Sequence, residues 1–144
     1  MIRKISLPFA LLFGMFFISG KLPHKKEEIE SAMNRYNHYL VSMNVDSIAS
    51  LFCKDGDLGN IAHGQDSIKR FLLKFKNYKV LSQSTKTISI SIKLDTAFHK
   101  GMYDQTTITP HQDTVRVKGQ FNARWIWSKA LGWKIKRMDT TPMN

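Results

Sequence analysis

The hydrophobic period of this chain changes once, near Lys79, from the 3.6 residues of a helix to the 2 of a strand. No other feature restricts the fold as much. Before the change, Ile29, Met33, Tyr36, Leu40 and Met43 recur at i, i+4, i+7, i+11 and i+14, which predicts a helix over Lys25–Met43. Glu27, Glu28 and Glu30 sit in its first turns, where carboxylates favour the helix dipole. Asn44 is placed to cap a second, shorter helix that buries Ile48, Leu51 and Phe52, with Asp55-Gly56 as its stop. A third helix is expected over Asp66–Phe75, burying Ile68, Phe71, Leu72 and Phe75. After Lys79, Ile88, Ile90, Ile92 and Leu94 alternate with Ser89, Ser91 and Lys93 as on a half-buried strand. Further strands follow over Ala97–Ile108, over Thr114–Ser128 with Phe121, Ala123, Trp125 and Trp127 on one face, and over Trp133–Thr140, where Pro142 is expected to end order. Helices followed by a meander of strands predict one α+β domain, with three N-terminal helices packed on an antiparallel sheet.

Apolar residues are crowded at the start. Of the 15 residues from Ile5 to Ser19, 11 are apolar, behind Arg3 and Lys4 and ahead of the small residues Ser19 and Gly20. This run is too short to span a bilayer comfortably and reads as an export signal over 1–20, cleaved near Gly20, with an uncleaved anchor as the alternative. Residues 21–144 then form the mature domain, expected in the periplasm or outside the cell. Lys21, where a lipoprotein would carry cysteine, argues against a lipid anchor, and the single Cys53 excludes an internal disulfide.

Without Arg3 and Lys4 the formal charge falls from +11 to +9, from 20 basic and 11 acidic residues. The basic residues near the C-terminus alternate with Trp133 and Ile135 as on the solvated face of a strand, so a nucleic-acid partner is not expected. Membrane contact is expected only through the leader or through weak surface charge. No His-x-x-x-His, Cys-x-x-Cys, Gly-x-Ser-x-Gly or phosphate-cradling glycine loop is present, and neither a metal nor a cofactor is expected.

Several local motifs stand in a familiar order. They are Leu51-Phe52-Cys53-Lys54-Asp55-Gly56, Gly64-Gln65-Asp66-Ser67-Ile68, Asp95-Thr96-Ala97 with Gly101 and Tyr103, and Gly132-Trp133-Lys134-Ile135. Together they resemble the SnoaL-like branch of the nuclear transport factor 2-like superfamily over about Lys25–Pro142. The resemblance implies a cone in which a curved sheet wraps the first helix and leaves a pocket at its open end. It also implies homodimers built through the sheet.

That fold serves isomerases, cyclases, dehydratases and non-catalytic modules alike, so function rests on individual residues. Tyr36 matches the oxyanion-donating tyrosine of the ketosteroid isomerases, but Asn60 stands where their base would be and Ala123 where their second donor would be. Steroid isomerisation is therefore not expected. As in the cyclase members, a pocket His or Asp would supply acid–base chemistry, and His63, His99, Asp57, Asp104 and Asp139 are the available groups. His99 shares strand parity with Ala97, Gly101 and Tyr103. If that face is concave, His99 and Tyr103 reach the pocket; if convex, Lys100 and Asp104 line it instead. Arg137 and Asp139 share parity with Trp133 and Ile135 and are placed to pair at the rim. The catalytic candidates are thus Tyr36, His99 and Asp139. The expected pocket residues are Tyr36, Tyr39, Phe52, Asn60, Tyr103, Phe121 and Trp125, which act either as walls for a small apolar or aromatic ligand or as core filling.

Overall fold

A computed structural model describes residues 21–143; the leader expected at 1–20 lies outside the described residues. Helix α1 spans Lys26–Ser42 and buries Ile29, Ala32, Met33 and Asn37, close to the stripe that its sequence predicts. Helix α2 spans Val45–Ser50, and the Asn44 side chain accepts a hydrogen bond of 3.1 Å from the Ser47 N–H, as an N-cap should. Asp55-Gly56 does not end this helix. The chain leaves it after Ser50 and runs directly into strand β1, Phe52–Leu58, followed by the two-residue β2, Ala62–His63. Gly56 serves packing instead: a Cβ there would stand 2.9 Å from the Ile135 carbonyl oxygen of a neighbouring strand. Helix α3 spans Gln65–Leu73 and buries Ile68 and Leu72, while Phe71 and Phe75 are only half-buried.

Four long strands follow: β3 Lys79–Lys93, β4 Thr96–Ile108, β5 Thr114–Ser128 and β6 Gly132–Met143. The sheet order is β2-β1-β6-β5-β4-β3. It is mixed rather than purely antiparallel, because β1 pairs with β6 in parallel. Strand β6 also outruns its expected end. Pro142 pairs with Gly119 of β5 beyond the point where β1 stops, so β6 is an edge strand there, where proline is tolerated.

Three irregularities reset which side chains face inward. The β3–β4 register shifts between Val80 and Ser82 and again between Thr87 and Ser89, leaving Leu81 and Ile88 as extra residues. Val80 therefore points inward, then Gln83, Thr85 and Thr87, then Ile90 and Ile92. Ile88, expected in the core, is exposed instead, as is Leu94 in the turn beyond. The β5–β6 register shifts between Arg124 and Trp125, so Lys136 is the extra residue there. Trp133 and Ile135 point inward before it and Met138 after it, which sends Arg137 and Asp139 to the outer face.

Two glycines let the sheet curve. Gly101 on β4 pairs with Phe121 on β5, and Gly119 on β5 pairs with Tyr103 on β4. A Cβ at Gly101 would fall 2.6 Å from the Phe121 ring, and one at Gly119 would fall 2.6 Å from the Tyr103 ring. Each aromatic thus lies across the strand beside it, bending the sheet around α1. Asn37 secures α1 to β3 by donating to the Thr85 hydroxyl at 2.8 Å. The narrow end of the cone is packed solid with Trp125, Phe52, Ile135 and Trp133. Among the described residues, no helix is long and apolar enough to cross a membrane.

Candidate functional site

The wide end of the cone is open. A cavity of about 460 Å³ lies between the C-terminal half of α1, the β1–β2 turn, the end of α3 and the concave face of β3–β6. Met33, Tyr36 and Leu40 line it from α1 and Met43 from its C-cap, and Phe71, Phe75 and Tyr78 from α3 and the segment after it. On the sheet side the wall becomes polar but stays uncharged, with Gln83, Thr85, Gln105, Thr107 and Thr140. This polar strip follows from the two bulges of β3 together with the alternation of β4: the chain presents hydroxyls and amides inward beside the mouth and isoleucines inward at the narrow end.

Of the residues expected in the pocket, Tyr36, Tyr103 and Phe121 line it, and Tyr39, Phe52, Asn60 and Trp125 do not. Phe52 and Trp125 are core filling, 1% and 0% exposed. Phe52 stands behind Tyr36, its ring edge-on at 6.4 Å. Asn60 belongs to the β1–β2 turn but faces away and accepts a hydrogen bond of 3.0 Å from Arg137. Leu58 and Ile61 on either side of it reach the cavity instead. The residue that the resemblance sets at the isomerases' base position thus faces away from the cavity, because a tight turn presents alternate residues to opposite sides.

The catalytic candidates are not brought together. Tyr36 lies in the wall, where burial alone pushes its phenol up to about 12. His99 does point inward, as the concave reading requires, yet it stops short of the cavity. It is 2% exposed and stands behind Phe121, whose ring meets it edge-on at 4.9 Å. Its Nε2 is 2.9 Å from the Thr87 hydroxyl, while Nδ1 is buried without a partner. Burial with no compensating charge lowers its pKa to about 4, so the ring is neutral at pH 7.

Asp139 lies on the outer face. There Arg137 donates to it from Nε at 2.8 Å and Nη2 at 2.9 Å, and also approaches Asp57 at 3.8 Å. The expected ion pair is real, but it sits on the opposite side of the sheet from the cavity. Asp57 pairs with the exposed His63 at 2.6 Å, and Asp104 with Arg116 at 2.6 Å. None of these carboxylates or imidazoles lines the cavity. Burial raises the Cys53 thiol, which keeps it protonated rather than nucleophilic. Among the described residues, no three His, Cys, Asp or Glu side chains are grouped to hold a metal ion.

The polar strip is the part of the site that the sequence reading missed. Gln83, Thr85, Gln105 and Thr107 were legible only as strand residues, since their facing depends on where the bulges fall.

No family model matches the sequence, and neither does any curated protein. Solved structures do match in shape. A ketosteroid isomerase-like protein from Erwinia carotovora atroseptica superposes with a TM-score of 0.74 at 16% identity, covering 85% of this chain and 99% of that one. A protein of unknown function from Mycobacterium tuberculosis gives 0.72 at 15% identity, over 82% and 71% of the two chains. A protein from Novosphingobium aromaticivorans, proposed to be an aromatic ring hydroxylase, gives 0.68 at 17% identity, over 85% and 96%. At such identities the likeness speaks for architecture alone. With helices on a curved, unclosed sheet around an open pocket, the chain has the nuclear transport factor 2-like α+β cone fold of the ketosteroid isomerase-like proteins.

Proposed function

We propose that this protein is an exported domain that binds a neutral, largely apolar small molecule in its cone. One observation carries the reading: the open cavity of about 460 Å³ is walled by apolar and aromatic side chains, with a strip of amides and hydroxyls but no charged residue. A cavity of this size suits a compact ring system or short chain with one or two polar groups. The C-terminal end of α1 forms part of the wall, and its negative dipole end disfavours an anion there. Tyr36 and Tyr103 supply phenol donors whose ionisation burial opposes. Binding is favoured over isomerase, cyclase or dehydratase chemistry because no imidazole or carboxylate lines the cavity to act as a base. Export rests on the apolar run behind Arg3 and Lys4. Pairing of two copies through the outer face of the sheet is proposed alongside, on the resemblance and on the exposure there of Ile88 and Phe98.

Thermal shift with a library of neutral and charged aromatic and alicyclic compounds tests the reading, using residues 21–144 and a Leu58→Trp variant whose indole fills the cavity. A true ligand at a hundred times its Kd stabilises by about 2.7 kcal/mol, raising Tm by roughly 10 °C in a domain of this size. The variant should not respond. If no neutral compound shifts Tm, or charged analogues shift it equally, the reading fails.

A further inference from the structure

Three largely exposed leucines stand at the narrow end of the cone, each within two residues of a lysine. Leu22 follows Lys21 and is 86% exposed. Leu94 follows Lys93 at the tip of the β3–β4 turn and is 90% exposed. Leu131 follows Lys129-Ala130 in the β5–β6 turn and is 65% exposed.

Hydrogen bonding brings these segments to one place. The Trp127 N–H donates to the Asp95 carbonyl at 2.8 Å, which sets the β3–β4 turn beside the end of β5. Trp127 pairs with Trp133 across the β5–β6 turn. Lys21 lies over the Trp127 ring at 4.2 Å and pairs with Asp95 at 3.0 Å, and His24 packs against both Trp127 and Trp133.

Leu94 is there against two local preferences. Its φ of 52° lies in the left-handed region, where a turn would favour glycine or asparagine, and its side chain gains no contact in return. Neither turn chemistry nor the core accounts for a leucine at this tip. The chain also supplies context for what would. Only Gly20 separates Lys21 from the apolar run of residues 5–19, so the patch is joined in sequence to the segment best suited to a bilayer. Helix α1 leads away from the patch for 17 residues, about 25 Å, and ends at the cavity.

We propose that this end of the domain docks on an anionic phospholipid bilayer. Leu22, Leu94 and Leu131 enter the headgroup–acyl boundary, Lys93 and Lys129 meet the lipid phosphates while Lys21 stays paired with Asp95, and the cavity opens away from the membrane. Apolar insertion joined to lysine attraction is the combination by which peripheral proteins hold a bilayer surface. The same patch serves whether the leader is removed or kept.

The test uses residues 21–144, which contain the whole buried core from Ile29 to Met138 and leave out the leader as a competing anchor. Co-sedimentation is measured with vesicles of phosphatidylcholine alone and with phosphatidylglycerol added. Binding to the anionic vesicles only is expected. Leu94→Gly combined with Leu131→Ser should weaken it at least tenfold, while Phe98→Ser on the outer sheet face should leave it unchanged. Glycine suits the left-handed tip better than leucine, so Leu94→Gly alone should keep or raise Tm, and lost binding will not reflect unfolding. The proposal is overturned if the anionic vesicles are not bound, or if the leucine variant binds as well as the parent. It is also overturned if the parent is a dimer that the double leucine substitution dissociates.

Discussion

Protonating His99 should cost the folded state far more than it costs the unfolded chain. The imidazole is 2% exposed, Thr87 is its hydrogen-bond partner, Phe121 covers one edge, and its cross-strand neighbour is Ala123. The doubly protonated ring must donate from both nitrogens, and Nδ1 has no acceptor within reach. Burial therefore holds the pKa at about 4, against about 6.5 in the unfolded chain. Between these values the unfolded state binds more protons, so stability is complete above about pH 6.5 and falls as the pH drops toward 4. The full difference is about 3 kcal/mol, of which about 2 kcal/mol is lost by pH 5. Carboxylates such as Asp57 and Asp104, held low by His63 and Arg116, also destabilise the fold in acid, so the wild-type curve alone does not isolate the histidine. His99→Gln does, because an amide can still reach Thr87 but does not titrate. Urea unfolding of both proteins at pH 7.5 and 5.0 should show the wild type losing about 2 kcal/mol more than the variant. Parallel losses within about 0.5 kcal/mol would refute the idea that His99 is buried neutral.

Other substitutions probe the packing and the site. Gly101→Ala brings a Cβ to 2.6 Å from both the Lys86 carbonyl and the Phe121 ring and should cost about 2–4 kcal/mol by urea unfolding. Gly132→Ala meets nothing within 4 Å and pays only for its φ of 70°, about 1 kcal/mol; equal costs would contradict the curvature assigned to Gly101. Asp139→Asn weakens an outer-face ion pair that is partly solvated, so its unfolding midpoint should move by less than about 1 kcal/mol and its ligand response should be unchanged. If ligand binding instead collapsed, Asp139 would be acting on the pocket. Phe98→Asp should render the protein monomeric in sedimentation equilibrium if two copies meet through the outer face, and a persistent dimer would place the interface elsewhere.

Local pattern determined much of this protein. The stripe from Ile29 to Met43, the Asn44 cap and the alternation of Phe121, Ala123 and Trp125 each depend on neighbours a few residues away, so α1, the start of α2 and β5 were legible to within a residue or two. With the order of motifs, that was enough for the fold. The pocket was legible only in part, through Tyr36, Tyr103 and Phe121. What remained was decided between strands. Leu81, Ile88 and Lys136 became the unpaired residues of three irregular pairings, and each reversed the facing of everything beyond it. Those reversals carried Asp139 out of reach and Thr85 and Gln83 into the wall. The parallel pairing of β1 with β6 likewise turned an expected helix end into a strand and presented Leu58 and Ile61, rather than Asn60, to the cavity. A strand's sequence sets its alternation, but its phase relative to the core is set by hydrogen bonds to residues far away in the chain.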